Sequence, residues 1–353
     1  MKKTAIIFSP IFYQHNPGRD HPESAQRLRA MLNELKNRLS DDKRWEFINP
    51  HRASIGDLEL VHGAEYIKLV KAVCKSGGGL LDLQDTVVSR ESFNVALHAV
   101  GGALDAVDLV MERRAENAFA LVRPPGHHAG RYRACGFCLF NNVAIAAEHL
   151  RKRFNMKRIA VLDVDAHHGN GTQEKFYEAN EVLYISIHED PSSFPGTGFT
   201  DEVGKGDGAG YNVNIPLPIG TSDGVYLRAM TEIVTPIMLQ YKPEFILVSA
   251  GFDGHYLDPV GTLSLSASAY ERIFDMILLV ASKTCQGKFV SVLEGGYNVN
   301  IVGRIFAIAI GRMAGMSYSV KDRVPAPKKS LESQGVKVLR EVKNAQRDFW
   351  NIS

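Results

Sequence analysis

The sequence contains few cysteines, little net charge and no long apolar run. Four cysteines in 353 residues are too few for a disulfide framework. A formal net charge of +2 does not favour binding to nucleic acid or to an anionic membrane surface. No apolar run reaches the roughly 20 residues that a membrane span needs. These absences favour a globular protein of a reducing compartment, and we expect the cytoplasm.

The N-terminal segment MKKTAIIFSPIFYQHNPG begins with two lysines and continues with apolar residues, as a secretory signal peptide does. Ser9 and Pro10 interrupt the apolar stretch, and no small-residue cleavage site follows. We therefore expect Thr4 to Phe8 to form the first strand of the fold.

Short apolar runs alternate with longer segments that have helical periodicity. Six runs have the length and composition of buried parallel strands: TAIIF near 4, AFALV near 118, IAVLDV near 159, VLYISI near 182, FILVSA near 245 and FVSVLE near 289. Three helical segments are ESAQRLRAMLNELKNRL, SFNVALHAVGGALDAVDLVMERR and SASAYERIFDMILLVASKTC. This alternation predicts an α/β fold with a mostly parallel sheet.

The chain shows no internal repeat and no low-complexity linker, so we expect residues 1–353 to form a single domain. Its core is predicted over about 4–320, and a last helix over about 330–350 follows a polar, proline-broken stretch.

Polar and glycine-rich segments follow four of the predicted strands. RPPGHHAG follows AFALV, DAHHGNG follows IAVLDV, GFDGHYLDP follows FILVSA and GGYN follows FVSVLE. Ligands of parallel sheets bind beyond the carboxyl ends of the strands. The sequence therefore predicts one functional site at that edge.

The segment DVDAH has the spacing of a metal chelate. Asp163, Asp165 and His167 are two residues apart, so an extended chain can direct them to one side. Asp165 and His167, with Asp253 from another strand end, would give three ligands and leave a position open for water, as in catalytic zinc sites. Two carboxylates and one imidazole also suit Fe²⁺ or Mn²⁺. Asp163 would lie deeper, where it could orient a histidine or hold a second cation.

Each of these residues also has an ordinary structural interpretation. An isolated aspartate after a strand is commonly a helix cap or turn residue, and an isolated histidine is commonly a hydrogen-bonded core residue. Several ionisable groups on adjoining strand ends favour the metal site instead. Cys135 and Cys138 form a lone C-x-x-C with no second pair, which is a weak metal or redox signal, and Cys138 is expected to pack as a small apolar residue.

The motifs RPPGHHAG, GFCLFNNVAIAA, DVDAHHGNGTQ, FPGTG, GFDGHYLDP and EGGYN resemble the zinc-dependent histone deacetylase superfamily, which includes acetylpolyamine amidohydrolases and acetoin-utilisation proteins. The match runs in order from HPESAQRL near 21 to EGGYN near 297. Asn170 and Glu294 resemble the class II branch and its bacterial relatives, whereas class I members tend to carry Asp and Gly there. The resemblance implies the arginase/deacetylase fold, a single deacetylase domain around a mostly parallel central sheet flanked by helices.

The resemblance also implies the residues of an active site. It assigns a catalytic Zn²⁺, with Fe²⁺ possible, to the three ligands already proposed from the spacing: Asp165, His167 and Asp253. It places His127 and His128 beside a metal-bound water, with Asp163 bonded to His127 and Asn170 bonded to His128.

Two structural potassium sites are further implied. The first would use Asp163, Asp165, His167, Ser186 and Ile187. The second would use Phe176, Ala179, Val182 and Tyr211.

The implied reaction is hydrolysis of an amide between a short acyl group and a primary amine, by attack of metal-activated water. His128, next to the neutral Asn170, can remain unprotonated and act as the base. His127, next to the ionised Asp163, should favour the charged form and act as a stabiliser or acid. Tyr297 would donate to the oxyanion, although such a tyrosine could also simply pack in the core.

The resemblance predicts a narrow substrate channel. Gly136 and Phe137 match one wall and Phe194 the facing aromatic, so a linear aliphatic arm would fit between them. Arg27 matches an arginine at the pocket floor, where acetate could leave; a surface ion pair is the alternative for this residue.

Two other functions compete with deacetylation. An arginase-type ureohydrolase with two manganese ions needs additional carboxylates where this chain has Gly169 and Gly251. A non-catalytic acyl-lysine reader would not need the complete set of metal, histidine and tyrosine residues.

The substrate is expected to be an acyl-lysine peptide or protein, with an acetylated small amine as the alternative. The eukaryotic polyamine branch resembles LDPVGT but carries a glutamate at Val260. An apolar Val260 offers no partner for a second cation, so lysine deacylation is favoured over acetylpolyamine hydrolysis. Neither the oligomeric state nor the acyl length follows from the sequence.

Overall fold

The computed structural model describes residues 3–39, 43–82, 84–322, 326 and 328–352. The described strands are β1 Thr4–Ile7, β2 Trp45–Ile48, β3 Gly78–Leu80, β4 Val87–Ser89, β5 Asn117–Ala120, β6 Ile159–Asp163, β7 Val182–Glu189, β8 Asn212–Leu217, β9 Phe245–Ala250 and β10 Phe289–Leu293. The described α-helices are α1 Ala25–Leu39, α2 Ile55–Leu58, α3 Ala64–Lys75, α4 Ser92–Met111, α5 Asn142–Arg153, α6 Asn170–Phe176, α7 Asp223–Ala229, α8 Thr235–Tyr241, α9 Ala267–Cys285, α10 Val302–Met313 and α11 Lys329–Gln346.

Eight strands form one parallel sheet in the order β2-β1-β5-β10-β9-β6-β7-β8. The remaining two, β3 and β4, pair as a small antiparallel ribbon. Every residue of β5, β6, β9 and β10 is buried, as expected for central strands that are covered on both faces. The predicted α/β class and the mostly parallel sheet are therefore confirmed.

Helices flank this sheet through their apolar stripes. In α1 the predicted apolar positions are all buried: Leu28, Met31, Leu32, Leu35 and Leu39. Helix α4 is long and apolar enough to cross a membrane by length and composition alone, and it is the only such helix among the described residues. Because 78 % of its most apolar window is buried inside the fold, its apolar surface is already covered by the core.

The topology brings the carboxyl ends of β5, β10, β9 and β6 to one edge as immediate neighbours. These are the four strands that precede the polar segments singled out in the sequence. A cavity of about 550 Å³ lies at the opposite edge, beside the first residues of β1 and β5, Thr4 and Asn117. None of the motif residues lines that cavity, so the chemistry lies at the carboxyl edge.

Candidate active site

Three buried ligand-type residues meet just beyond β6 and β9. The ligand atoms of Asp165, His167 and Asp253 all lie within 4.8 Å of one another. The backbone N–H of His167 donates to Asp165 Oδ1 at 2.9 Å within the loop after β6. The N–H of Ala166 donates to Asp253 Oδ1 at 2.9 Å, which links this loop to the one after β9. The structure thus brings together the three predicted metal ligands: Asp165 and His167, predicted from their spacing, and Asp253, predicted from another strand end.

The two carboxylates of this cluster lie close enough to repel each other. His167 Nδ1 lies 3.3 Å from Asp165 Oδ1 and 3.2 Å from Asp253 Oδ2. Burial first, and then the charge of Asp165, raises the pKa of Asp253 to about 7. A divalent cation would relieve this repulsion, and two carboxylate oxygens with one imidazole nitrogen suit zinc while leaving a position open.

Two glycines leave the space that such a cation needs. A Cβ atom at Gly251 would overlap the carboxylate of Asp165, and one at Gly295 would overlap the carboxylate of Asp253. The N–H of Gly295 also donates to Asp165 Oδ2 at 2.7 Å, which requires close approach of the backbone. The residues present therefore fit a single divalent cation.

A second metal of the arginase type does not fit. Its extra carboxylates would have to replace Gly169 and Gly251. A Cβ at Gly169 would overlap the carboxylate of Asp163, just as one at Gly251 would overlap Asp165. Neither backbone position has room for a bridging side chain.

The tandem histidines after β5 have the partners that the resemblance implied. His127 Nδ1 donates to Asp163 Oδ2 at 3.0 Å, and His128 Nδ1 donates to Asn170 Oδ1 at 2.8 Å. Because the Nδ1 proton of His128 is used in this bond, its Nε2 lone pair is free to accept a proton.

Burial and charge separate the pKa values of the two histidines. Burial alone would lower the pKa of His127, but the charges of Asp163 and of other buried carboxylates outweigh it and raise the pKa to about 10. For His128, burial and then the positive charge of His127 hold the pKa well below its usual value. Adjacent rings, with centroids 4.0 Å apart, are therefore suited to opposite roles in proton transfer.

A channel of about 350 Å³ leads to these groups. It is lined by Asp85, His128, Gly136, Phe137, His167, Glu189, Ser193, Phe194, Val260, Thr262 and Tyr297. Gly136 and Phe137 form a turn with positive φ angles of 52° and 68°. A Cβ at Gly136 would lie 2.5 Å from the His128 ring and 2.9 Å from the Phe194 ring, so this wall requires glycine. The three predicted wall residues line the channel, and so does Val260, the residue that was used to choose between substrates.

The comparisons with known proteins agree with this geometry. A family model described as the histone deacetylase domain matches residues 21–313. The chain belongs to the histone deacetylase family. It is 39 % identical to a probable deacetylase of Archaeoglobus fulgidus over 98 % of both chains. It is 36 % identical to a histone deacetylase-like amidohydrolase of Pseudomonas aeruginosa, over 86 % of this chain and 78 % of the relative.

A solved structure confirms the fold of this histone deacetylase family member. The crystal structure of the HDA15 HD domain superposes with a TM-score of 0.88 at 34 % identity, covering 99 % of this chain and 95 % of that one. The resemblance stated from the motifs is confirmed, and the family indicates a deacetylase-type hydrolase.

Tyr297 lines the channel of this histone deacetylase family member, and Arg27 lies behind it. The Tyr297 ring packs edge-on against Phe137, with centroids 5.7 Å apart, and the Arg27 guanidinium lies 4.9 Å from its centroid. Arg27 is fully buried, and its side chain donates to the carbonyls of Glu294 and Gly296 and to the carboxylate of Glu23. The alternative of a surface ion pair is therefore wrong. Arg27 lies behind Tyr297 and does not itself line the channel.

The residues predicted for potassium lie on β6, α6, β7 and the neighbouring loops. For the first site, Asp163 and Ser186 are paired across β6 and β7. For the second, the carbonyl of Phe176 accepts from Ala179 N and that of Tyr211 accepts from Tyr184 N. Both sites stay predictions.

Several site residues were not predicted from the sequence. Tyr184 donates from its hydroxyl to Asp163 Oδ2 at 3.1 Å. Glu294 accepts from the backbone N–H groups of Gly126 and His127 at 2.7 and 3.2 Å, so it fixes the tandem-histidine loop. The sequence analysis named Glu294 only as a feature of the class II branch; its position at the end of the predicted strand FVSVLE was the available signal for a role in the site.

Two carboxylates that line the channel were also not predicted from the sequence. Asp85 lines the channel with a buried Oδ1 that has no partner within the described part of the chain. Glu189, the last residue of β7, lines the same channel. In the sequence, Glu189 could have been found from its position near the end of a strand, whereas no sequence feature pointed to Asp85.

Proposed function

We propose that this chain removes acetyl or other short acyl groups from lysine side chains by hydrolysis. The observation that carries the proposal is the aromatic channel between Phe137 and Phe194, which opens onto His128 and onto His167, one of the three predicted metal ligands. Such a channel suits a linear aliphatic arm that ends in an amide. The family supports deacetylation in general, and the lysine substrate and the metal are parts of this proposal.

The arrangement supplies each group that amide hydrolysis requires. A divalent cation would polarise the acyl oxygen and activate water. It would be bound by Asp165, His167 and Asp253. The family resemblance favours zinc, with Fe²⁺ as the alternative. His128 accepts a proton from the attacking water at its free Nε2. His127, held in the charged form, stabilises the developing negative charge and can protonate the leaving amine.

Tyr297 should contribute through its hydroxyl, which donates to the acyl oxygen as this atom gains charge. Replacing it in Tyr297→Phe keeps the ring that packs on Phe137 and Arg27. We expect kcat to fall about 10²–10³-fold with a small change in KM, because the lost donor acts mainly in the transition state. Steady-state kinetics on an acetyl-lysine peptide measures this.

The matched control for this variant is Tyr241→Phe. Tyr241 is buried, but its hydroxyl lies 3.4 Å from the carbonyl of Ile159, at the amino end of β6 and away from the channel. Its kcat should equal that of the wild type. A Tyr297→Phe variant as active as this control would show that Tyr297 only packs.

An acetylated polyamine is the second candidate substrate, and a specific observation favours it. Although Val260 offers no charge, Asp85 and Glu189 line the same channel and could face a second cation of the substrate. The proposal for lysine assumes that Val260 is the channel residue nearest to the position that the second cation of a polyamine would occupy.

Comparison of kcat/KM for an acetyl-lysine peptide and for N-acetylputrescine, with the zinc-loaded chain, tests the substrate. We expect the peptide to be favoured by at least about tenfold, or 1.4 kcal/mol. In Val260→Glu the preference should move toward N-acetylputrescine. A wild-type preference for N-acetylputrescine would replace the lysine proposal, and turnover of neither substrate would favour a non-catalytic acyl-lysine reader.

We also propose a cytoplasmic location. It is supported by the four cysteines, which are all free thiols in the structure, and by archaeal and bacterial relatives.

A further inference from the structure

Glu189 occupies a position between the metal ligands and the channel wall. Its backbone N–H donates to the carbonyl of Ala166 at 2.8 Å, between the ligands Asp165 and His167. Its side chain is almost completely buried, and Oε2 accepts from the backbone N–H of Thr262 at 2.5 Å. The hydrogen bond from Thr262 fixes the direction of the carboxylate.

The second oxygen of this carboxylate faces a metal ligand. Glu189 Oε1 lies 3.8 Å from Nε2 of His167, while Nδ1 of the same ring faces Asp165 and Asp253. In the described part of the chain, Glu189 forms no ion pair with an arginine or a lysine. The imidazole of His167 is therefore the only basic side chain within ion-pair distance of this buried carboxylate among the described residues.

We propose that Glu189 is a positioning residue that acts through His167 to strengthen metal binding. Coordination through Nδ1 requires a neutral imidazole whose proton is on Nε2, and a carboxylate beside Nε2 stabilises that tautomer and the orientation of the ring. Its charge adds to those of Asp165 and Asp253 in attracting a cation. The inference rests on the proposed metal site and names a residue outside the predicted ligand set.

A purely structural role for Glu189 predicts a different result. Through Thr262 the carboxylate also holds the loop that carries Val260, and in that role any hydrogen-bond acceptor would suffice. Glu189→Gln keeps an oxygen for Thr262 N but removes the charge, whereas Glu189→Ala removes both. The two variants therefore separate an effect of charge on the metal from an effect of loop support.

The experiment is a Zn²⁺ titration of the metal-stripped full-length chain in competition with a chromophoric chelator, without substrate. For Glu189→Gln and Glu189→Ala we expect the Kd for Zn²⁺ to rise about 10–100-fold, the range found when the partner of a metal-binding histidine is lost. The control Asp190→Asn removes the same charge from the next residue, which is exposed and bonded to Ser192, and should bind Zn²⁺ as the wild type does.

Wild-type affinity in Glu189→Gln would overturn the proposal, and if Glu189→Ala alone were weakened, the residue would be assigned to loop support. Failure of the wild-type chain to bind Zn²⁺ at all would instead reject the metal site on which the proposed function depends. A measurement that needs no variant is NMR of the Co²⁺-loaded chain. The Nε2 proton of His167 should exchange slowly with solvent, and rapid exchange would contradict its interaction with Glu189.

Discussion

Replacing His128 by alanine is expected to lower kcat about 10²–10⁴-fold, the contribution typical of a positioned general base. His128 is the histidine that burial and the charge of His127 keep neutral, and its Nδ1 proton is committed to Asn170. Removing the ring eliminates the proton acceptor nearest the channel. Because His128 is not among the three clustered ligands, Zn²⁺ binding should be unchanged. Single-turnover kinetics and a Zn²⁺ titration on the same preparation measure the two effects.

The control is His98→Ala. His98 is a half-buried histidine on α4 whose Nδ1 bonds the carbonyl of Asn94 within its own helix, so its loss should leave kcat unchanged. If His128→Ala retained turnover within about threefold of the wild type while binding Zn²⁺ normally, another group would have to accept the proton.

The centre of the sheet could be predicted from the sequence, and its edges could not. The six predicted strands occupy positions that are buried on both faces, which is why their sequences are continuous apolar runs. The strand β2 was missed because its WEFI segment is only partly buried. The strand β8 was missed because NVNIPL mixes two asparagines and a proline into the run. It is buried although it lies at the edge of the sheet, in part because α11 packs against it. Burial that depends on a distant helix leaves no local pattern.

The same distinction applies to the active site. Asp165 and His167 are close in the chain, so their spacing alone predicted that they meet. The pairing of His127 with Asp163 required the family resemblance, because nothing local links the two segments. Glu189 was missed although it lies two residues after VLYISI, because its relation to His167 depends on how β7 lies beside β6.

Replacing Asp253 by asparagine is expected to abolish stoichiometric zinc binding and, with it, deacetylation. Asparagine keeps the shape of the side chain and an oxygen for the N–H of Ala166, so the loop contact at 2.9 Å can remain. The substitution removes one of two anionic ligands. Loss of a residue that only hydrogen-bonds a metal ligand typically raises the Kd about 10–100-fold, so the Kd for Zn²⁺ should rise by more than this. Chelator competition and the acetyl-lysine assay measure both effects.

The same substitution should stabilise the metal-free chain. Burial, followed by the charge of Asp165, raises the pKa of Asp253 to about 7, against about 3.9 in an unfolded chain. Between about pH 4 and pH 7 the folded wild type therefore holds more protons than the unfolded chain, and its stability falls as the pH rises. The asparagine side chain of the variant cannot titrate. The metal-free variant should match the wild type near pH 4 and exceed it by a few kcal/mol above pH 7, because each pKa unit corresponds to about 1.4 kcal/mol.

Denaturant unfolding of both metal-free chains across this pH range measures the sign of the difference in their free energies of unfolding. The control is Asp207→Asn, which removes an exposed carboxylate. Added Zn²⁺ should reverse the order, because only the wild type gains stability from binding it. A variant that is destabilised without metal would mean that Asp253 is needed for the fold rather than held under repulsion for a cation. Opposite effects with and without metal are what two buried carboxylates predict when they repel each other in the metal-free chain and a bound cation removes that repulsion.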